Sequence, residues 1–156
     1  MSKEFEVAVI ASGSKGNSTI IKAGDTAFLV DAGISCRRIT NGLKECGLHP
    51  LDLSGVLITH EHTDHVSGLP VLSRKYKLPI FANEKTWQAM EVRNEIERSC
   101  HRLLPGQLSF GGLTVSSFAI SHDAASPVGY AFFYKDEKCT YLTDSGFVNE
   151  EIKLAS

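Results

Sequence analysis

The segment His60–His65 constrains this chain more than any other, because its sequence HEHTDH holds three of the six histidines and an aspartate. It follows the apolar run Val56–Thr59 directly, and that run predicts a buried strand. Crowding of imidazole and carboxylate groups at the end of a strand is typical of a metal centre. The alternative is a polar loop in which several histidines occur by chance, and the metal interpretation is favoured.

The spacing inside this segment divides the candidate ligands into two pairs. Residues two apart in an extended or turning segment face the same side, so His60 and His62 can approach one cation. The turn that follows brings Asp64 and His65 toward a second cation. Imidazole nitrogen and carboxylate oxygen suit zinc, manganese or iron.

Three further residues lie at the ends of predicted strands and are candidates for the same site. His122, in SHDA, and Asp144, in TDSG, are candidate distant ligands, although a surface histidine and a turn aspartate are the ordinary interpretations. Asp31, in VDAG, is either a turn residue or a carboxylate that accepts the far ring N–H of a ligand histidine.

The chain has 156 residues, the length of a single domain, and its composition is that of a globular protein with a net charge of -2. Such a charge creates no general field that attracts nucleic acid or an anionic membrane, so a polyanion must be held locally. No run approaches 18 apolar residues and the start lacks a signal-peptide layout, so a cytoplasmic protein without membrane contact is expected. The four cysteines contain no Cys-x-x-Cys pair, which favours reduced structural thiols.

The secondary-structure pattern is mixed. The predicted strands are Phe5–Ala11, Thr19–Ala23, Ala27–Val30, Val56–Thr59, Pro79–Ala82, Leu113–Ile120, Val128–Tyr134 and Cys139–Thr143. One helix is predicted between Ser35 and Gly47, and a second over Val66–Tyr76, where Pro70 is compatible with a helix only in its first turn. A third is predicted from the N-cap Asn83 to about Arg98, and a fourth begins at Glu150.

These elements predict an α/β protein that is not a doubly wound parallel sheet, because Gly24-Asp25 joins the second and third strands as a tight hairpin. The dinucleotide-binding and P-loop glycine patterns are absent from the sequence. The glycine-containing loop Ser12–Ser18 allows backbone N–H groups to face an anion. Ser14, Lys15 and Asn17 are its candidate substrate-binding residues, and a flexible hairpin connection is the alternative.

The order of these motifs resembles that of the metallo-β-lactamase-fold hydrolases. The residues that carry the resemblance are Asp31, the segment His60–His65, His122 and Asp144. The strings ASGSKGNS at 11–18, YKLPI at 76–80, ANEKTW at 82–87 and SHDAA at 121–125 are similar to a branch of bacterial cytoplasmic DNA exonucleases.

The resemblance implies a ligand set for two divalent metal ions, zinc first, with manganese or iron as alternatives. It gives His60, His62 and His122 to the first ion, Asp64 and His65 to the second, and Asp144 as the bridge. Asp31, Asp64 and Asp144 are the carboxylates that it connects with catalysis. The family pattern ends with a further histidine on the second ion, and no histidine follows His122 here.

The fold implied is an αβ/βα sandwich with mixed sheets, formed by residues 1–156 as one domain whose second half is incomplete in this chain. A missing C-terminal segment or a second copy would then complete the fold and supply the last ligand. A lone half would expose a sheet face, which predicts self-association.

The activity implied is 5′-to-3′ exonuclease action on DNA. A hydroxide bridging two ions would attack the phosphodiester, since coordination lowers the pKa of water toward about 7. Two alternatives stay open: hydrolysis of another ester, lactam or small phosphodiester on the same scaffold, and an inactive metal-binding fragment.

Overall fold

The computed structural model describes residues 5–120, 124–135, 137–142 and 146–151. These ranges include the segment His60–His65 and Asp31. His122 and Asp144 lie outside the described residues.

The first sheet has six strands in the order β1-β2-β3-β4-β5-β6, which is also their order along the chain. Their bounds are β1 Phe5–Ala11, β2 Ser18–Ala23, β3 Thr26–Val30, β4 Gly55–Leu57, β5 Ile80–Ala82 and β6 His101–Leu103. The first three strands pair antiparallel, and β3 to β6 pair parallel. Because neighbouring parallel strands end at one edge, Asp31 after β3 and His60 beyond β4 reach the same edge.

Helices cover one face of this sheet. Their bounds are α1 Cys36–Glu45, α2 Thr63–Val66, α3 Leu69–Tyr76 and α4 Glu84–Ala89. Helix α1 begins at the N-cap Ser35, whose hydroxyl accepts from the Arg38 N–H at 3.2 Å. It buries Ile39 and Leu43 against the sheet. No described helix is long and apolar enough to cross a bilayer.

The second sheet is antiparallel, in the order β11-β10-β9-β8-β7. Its strands are β7 Gln107–Phe110, β8 Leu113–Ala119, β9 Val128–Tyr134, β10 Glu137–Leu142 and β11 Gly146–Glu151. Its inner face packs Tyr130 and Phe132 against Phe28, Val30 and Leu57 of the first sheet, and all five are fully buried.

The chain therefore forms two hydrophobic layers, one between the helices and the first sheet and one between the two sheets. This αβ/β arrangement is the part of an αβ/βα sandwich that the described residues contain. It confirms the predicted mixed α/β class, and it confirms the opening meander with its Gly24 turn, where φ is +59°.

Three helix predictions differ from the structure. The helix after Asn83 ends at Ala89 rather than near Arg98, because Met90 is extended with ψ 118° and 3₁₀ turns follow at Arg93–Glu95 and Arg98–Cys100. The helix expected from Glu150 is contradicted at that residue and at Glu151, which end strand β11 through antiparallel pairing with β10. The helix expected over Val66–Tyr76 begins only at Leu69, after the separate short helix α2, and this later start places Pro70 in its first turn.

Candidate metal centre

Asp31 is the buried carboxylate around which the site is built. It follows β3 with a φ of 65°, in the left-handed region that aspartate tolerates better than most residues. Its exposed fraction is 0%. Three donors reach its oxygens: the Thr59 N–H at 2.8 Å, the Thr59 hydroxyl at 2.7 Å, and Nδ1 of His65 at 2.6 Å. A buried polar group of this kind is tolerated because it is hydrogen-bonded.

The Asp31 contact fixes the orientation of the His65 ring. Nδ1 carries the proton that the carboxylate accepts, so Nε2 presents a lone pair on the opposite side. On that side, Asp64 Oδ2 lies 3.8 Å from Nε2. Two ligands at about 2.0–2.2 Å from one ion are separated by about 3–4 Å, so this pair fits a single cation.

The other two histidines of the segment lie beside this pair. The His60 ring centroid is 4.0 Å from that of His65 and 4.6 Å from that of His62. His60 and His65 are 1% and 3% exposed. The structure thus brings His60, His62, Asp64 and His65 together, with Asp31 behind them.

Main-chain contacts hold this ligand segment against the loop after β3. The Ala32 N–H donates to the His65 carbonyl at 2.8 Å, and the Gly68 N–H donates to the Ala32 carbonyl at 2.7 Å. At Gly33 a Cβ atom would lie 1.8 Å from the Asp64 carbonyl oxygen, which leaves no room for a side chain. The close approach explains why glycine occupies position 33.

The second sheet is attached to the same edge. Tyr130 of β9 donates its hydroxyl to the Ile58 carbonyl at 2.7 Å, and the Val128 N–H donates to the Thr59 carbonyl at 3.0 Å. Complete burial raises the pKa of Tyr130 well above its usual value, and the Asp31 carboxylate raises it further. The tyrosine therefore stays a neutral donor beneath the site.

The loop predicted to bind substrate lies next to the ligands. Ser14 and Lys15 are exposed. Asn17 is only 9% exposed, and its side-chain N–H groups lie 2.9 Å from the Gly13 carbonyl, 3.1 Å from the Asp64 carbonyl and 3.2 Å from His65 Nε2. These contacts make Asn17 a connector between the loop and the ligand segment. Substrate binding by Ser14, Lys15 and Asn17 stays a prediction.

The donor chemistry fits divalent metal ions, since it consists of imidazoles and a carboxylate. Among residues 5–120 and 124–135, however, no three His, Cys, Asp or Glu side chains form a group that could hold an ion by themselves. Each predicted metal position has two of its ligands there, and the third or bridging ligand, His122 or Asp144, lies outside the described residues. The assignment of these two residues as ligands stays a prediction.

Sequence reasoning missed two groups at the site. Thr59 gives both its N–H and its hydroxyl to Asp31, whereas the sequence shows it only as the last residue of an apolar run. Glu61 lies between two predicted ligands in the sequence, and its Oε2 accepts from the Ala125 N–H at 3.0 Å. The side chains of Asn83 and Thr86 donate hydrogen bonds to the carbonyl of Ser126, the residue after Ala125.

Comparison with known proteins agrees with this geometry. The sequence profile described as the Metallo-beta-lactamase superfamily matches residues 11–156. A metallo-β-lactamase from Cronobacter sakazakii superimposes with a TM-score of 0.71 at 15% identity, covering 88% of this chain and 60% of that one. The chain therefore belongs to the metallo-β-lactamase superfamily, and the predicted fold is confirmed.

Within that superfamily, the chain is similar to two proteins named as exodeoxyribonucleases. It is 42% identical over 153 residues to exodeoxyribonuclease WalJ of Streptococcus pneumoniae serotype 2, covering 95% of this chain and 57% of WalJ. It is 44% identical over 149 residues to exodeoxyribonuclease YycJ of Bacillus anthracis, covering 94% of this chain and 56% of YycJ. The chain thus spans somewhat more than half the length of these relatives.

Proposed function

We propose that this protein is a binuclear metal-dependent phosphodiesterase that degrades DNA as a 5′-to-3′ exonuclease. The observation that carries the proposal is the 2.6 Å contact from Asp31 to His65 beneath a cluster of three imidazoles. A carboxylate that accepts the far ring N–H of a histidine is typical of metal ligands, because it fixes the tautomer that has its lone pair on Nε2. The similarity to WalJ and YycJ supports DNA as the substrate.

The proposed ligands are His60, His62 and His122 for one ion and Asp64 and His65 for the other, with Asp144 shared. Zinc is the favoured metal, and manganese or iron suits the same donors. When bound, two such ions supply an activated water and neutralise charge on the phosphodiester.

The chain's own residues would position the reactants. Asp31 holds His65 in the ligand tautomer, and Asn17 ties the Ser12–Ser18 loop to Asp64. Lys15 is exposed on that loop and would contact a backbone phosphate of the DNA. The proposal includes a cytoplasmic location, because the relatives named as exodeoxyribonucleases are bacterial and bacterial DNA lies in the cytoplasm.

The test is digestion of defined duplexes labelled at the 5′ or the 3′ end, with the native protein loaded with zinc or manganese. Release of the 5′ label as the first product is expected, and a chelator should stop it. His62→Ala should abolish digestion. His49→Ala is the matched control, since His49 caps a 3₁₀ turn by accepting from the Leu51 N–H and belongs to none of the ligand contacts.

Other outcomes would refute parts of the proposal. Turnover of a chromogenic lactam without DNA cleavage would identify a different hydrolase on the same fold. Bound metal without turnover of either substrate would identify a metal-binding protein. Digestion that survives His62→Ala would refute the proposed site.

A further inference from the structure

The Thr59 hydroxyl lies between the Asp31 carboxylate and the His60 ring. Its Oγ1 is 2.7 Å from Asp31 Oδ2 and 3.0 Å from His60 Nδ1. Thr59, Asp31 and His60 are 0%, 0% and 1% exposed, so bulk water does not compete for these contacts. The third neighbour, His65 Nδ1, is 3.5 Å from Oγ1 but 2.6 Å from Asp31, so its proton belongs to the Asp31 contact.

A hydroxyl group has one proton, and this decides the direction of both contacts. An ionised carboxylate only accepts, so the shorter contact is donated by Thr59 to Asp31. The opposite direction would place two lone-pair-bearing oxygens 2.7 Å apart with no proton between them. With its proton given to Asp31, Oγ1 can only accept from His60, and Nδ1 of that ring must carry the hydrogen.

We propose that Thr59 is a positioning residue that fixes His60 as the Nδ1–H tautomer, which places on Nε2 the lone pair that a metal ion would bind. Asp31 then orients two histidines, His65 by direct contact and His60 through the Thr59 hydroxyl. The consequence for metal binding rests on the proposed function, because His60 is one of its ligands. The tautomer itself is a property of the metal-free protein.

The primary test is the protonation site of the His60 ring, measured by nitrogen-15 NMR in the metal-free native protein. The proton is expected on Nδ1 in the wild type and in Thr59→Ser, which keeps the hydroxyl. Thr59→Val keeps the shape but removes the hydroxyl, and the Nδ1–H preference should be lost. Thr40→Val is the matched control, because within the described part of the chain the Thr40 hydroxyl bonds only its own helix, at the Cys36 carbonyl.

Metal titration of the same four proteins gives a second readout. Thr59→Val should bind zinc about 10–100-fold more weakly, the usual effect of losing a group that orients a ligand. Thr59→Ser and Thr40→Val should bind as the wild type does. A threonine with a merely structural role would lower stability in Thr59→Val without this selective loss, and without rescue by serine.

Two results would overturn the inference: a wild-type His60 protonated on Nε2, or a Thr59→Val protein with unchanged tautomer and zinc affinity. If Thr59→Val does not fold, the wild-type spectrum alone decides the question. Absence of zinc binding by the wild type would refute the proposed function, and the NMR result would still decide the role of Thr59.

Discussion

Replacing Asp31 by asparagine changes the two carboxylate oxygens that hold Thr59 and His65 in place. Asparagine preserves the size of the side chain and tolerates the φ of 65° at this position, so backbone strain is not added. The carboxylate accepts three hydrogen bonds, from Thr59 twice and from His65 once. An amide has one oxygen, so if that oxygen keeps the Thr59 N–H, the amide nitrogen faces Thr59 Oγ1 and His65 Nδ1.

The magnitude follows from those contacts. Loss of the 2.6 Å charge-assisted bond to His65 should lower the free energy of unfolding by about 1.5–3 kcal/mol, because the bond is completely buried. The His65 ring must also move its proton to Nε2 to accept from the amide. It then no longer offers that nitrogen to an ion, which predicts a 10–100-fold loss of zinc affinity, about 1.4–2.7 kcal/mol.

The assays are urea unfolding of the metal-free protein and zinc titration against a competing chelator. Asp25→Asn is the matched control, since Asp25 is exposed in the β2–β3 turn. Asp25→Asn also removes one carboxylate, but away from the proposed ligands, so it should change neither the free energy of unfolding nor the zinc affinity. An Asp31→Asn protein with wild-type zinc affinity would refute the orienting role of the carboxylate.

Three further predictions concern packing, the buried tyrosine and the substrate loop. Gly33→Ala places a Cβ 1.8 Å from the Asp64 carbonyl oxygen and should lower the free energy of unfolding by about 3 kcal/mol or more. Gly106→Ala is the control and should be neutral, because no atom lies within 4 Å of its Cβ position. Equal thermal unfolding of the two variants would contradict this prediction. Tyr130→Phe leaves a buried carbonyl without its donor and should cost about 1–3 kcal/mol in urea unfolding at pH 7. Because the folded protein raises the pKa of Tyr130 while an unfolded tyrosine ionises near about pH 10, the tyrosine's contribution is complete below that pH and declines above it, so the difference between the two proteins should shrink; a constant difference up to pH 11 would contradict the assignment. Lys15→Ala should raise KM for DNA with little change in kcat and reduce the slope of affinity against salt by about 1, and unchanged salt dependence would exclude a phosphate contact.

Several elements could be predicted from the sequence because their signal is local. Strands Phe5–Ala11 and Val128–Tyr134 have the predicted bounds, since each is a run of β-branched or aromatic residues followed or preceded by turn residues. The clustering of His60, His62, Asp64 and His65 was also predictable, because four side chains of types that can bind metals occur within six residues.

Other features depend on contacts between distant parts of the chain. Strand His101–Leu103 has no apolar alternation and forms by parallel pairing with β5, where the Trp87 indole also donates to the Arg102 carbonyl at 2.8 Å. Asn17 reaches Asp64 across 47 positions of sequence. Thr59 gives no sequence signal of its own, since its importance comes from Asp31, 28 positions earlier.

The proposed activity requires that the histidines and aspartates of this edge hold two divalent ions. Anomalous diffraction at the zinc absorption edge, from crystals of the zinc-loaded native protein, would show whether they do. Two ions about 3.5–4 Å apart are expected, one bound by His60 and His62 and the other by Asp64 and His65, at about 2.0–2.2 Å from the ligand atoms. Ions located elsewhere, or an edge of the sheet without anomalous signal at saturating zinc, would contradict this expectation.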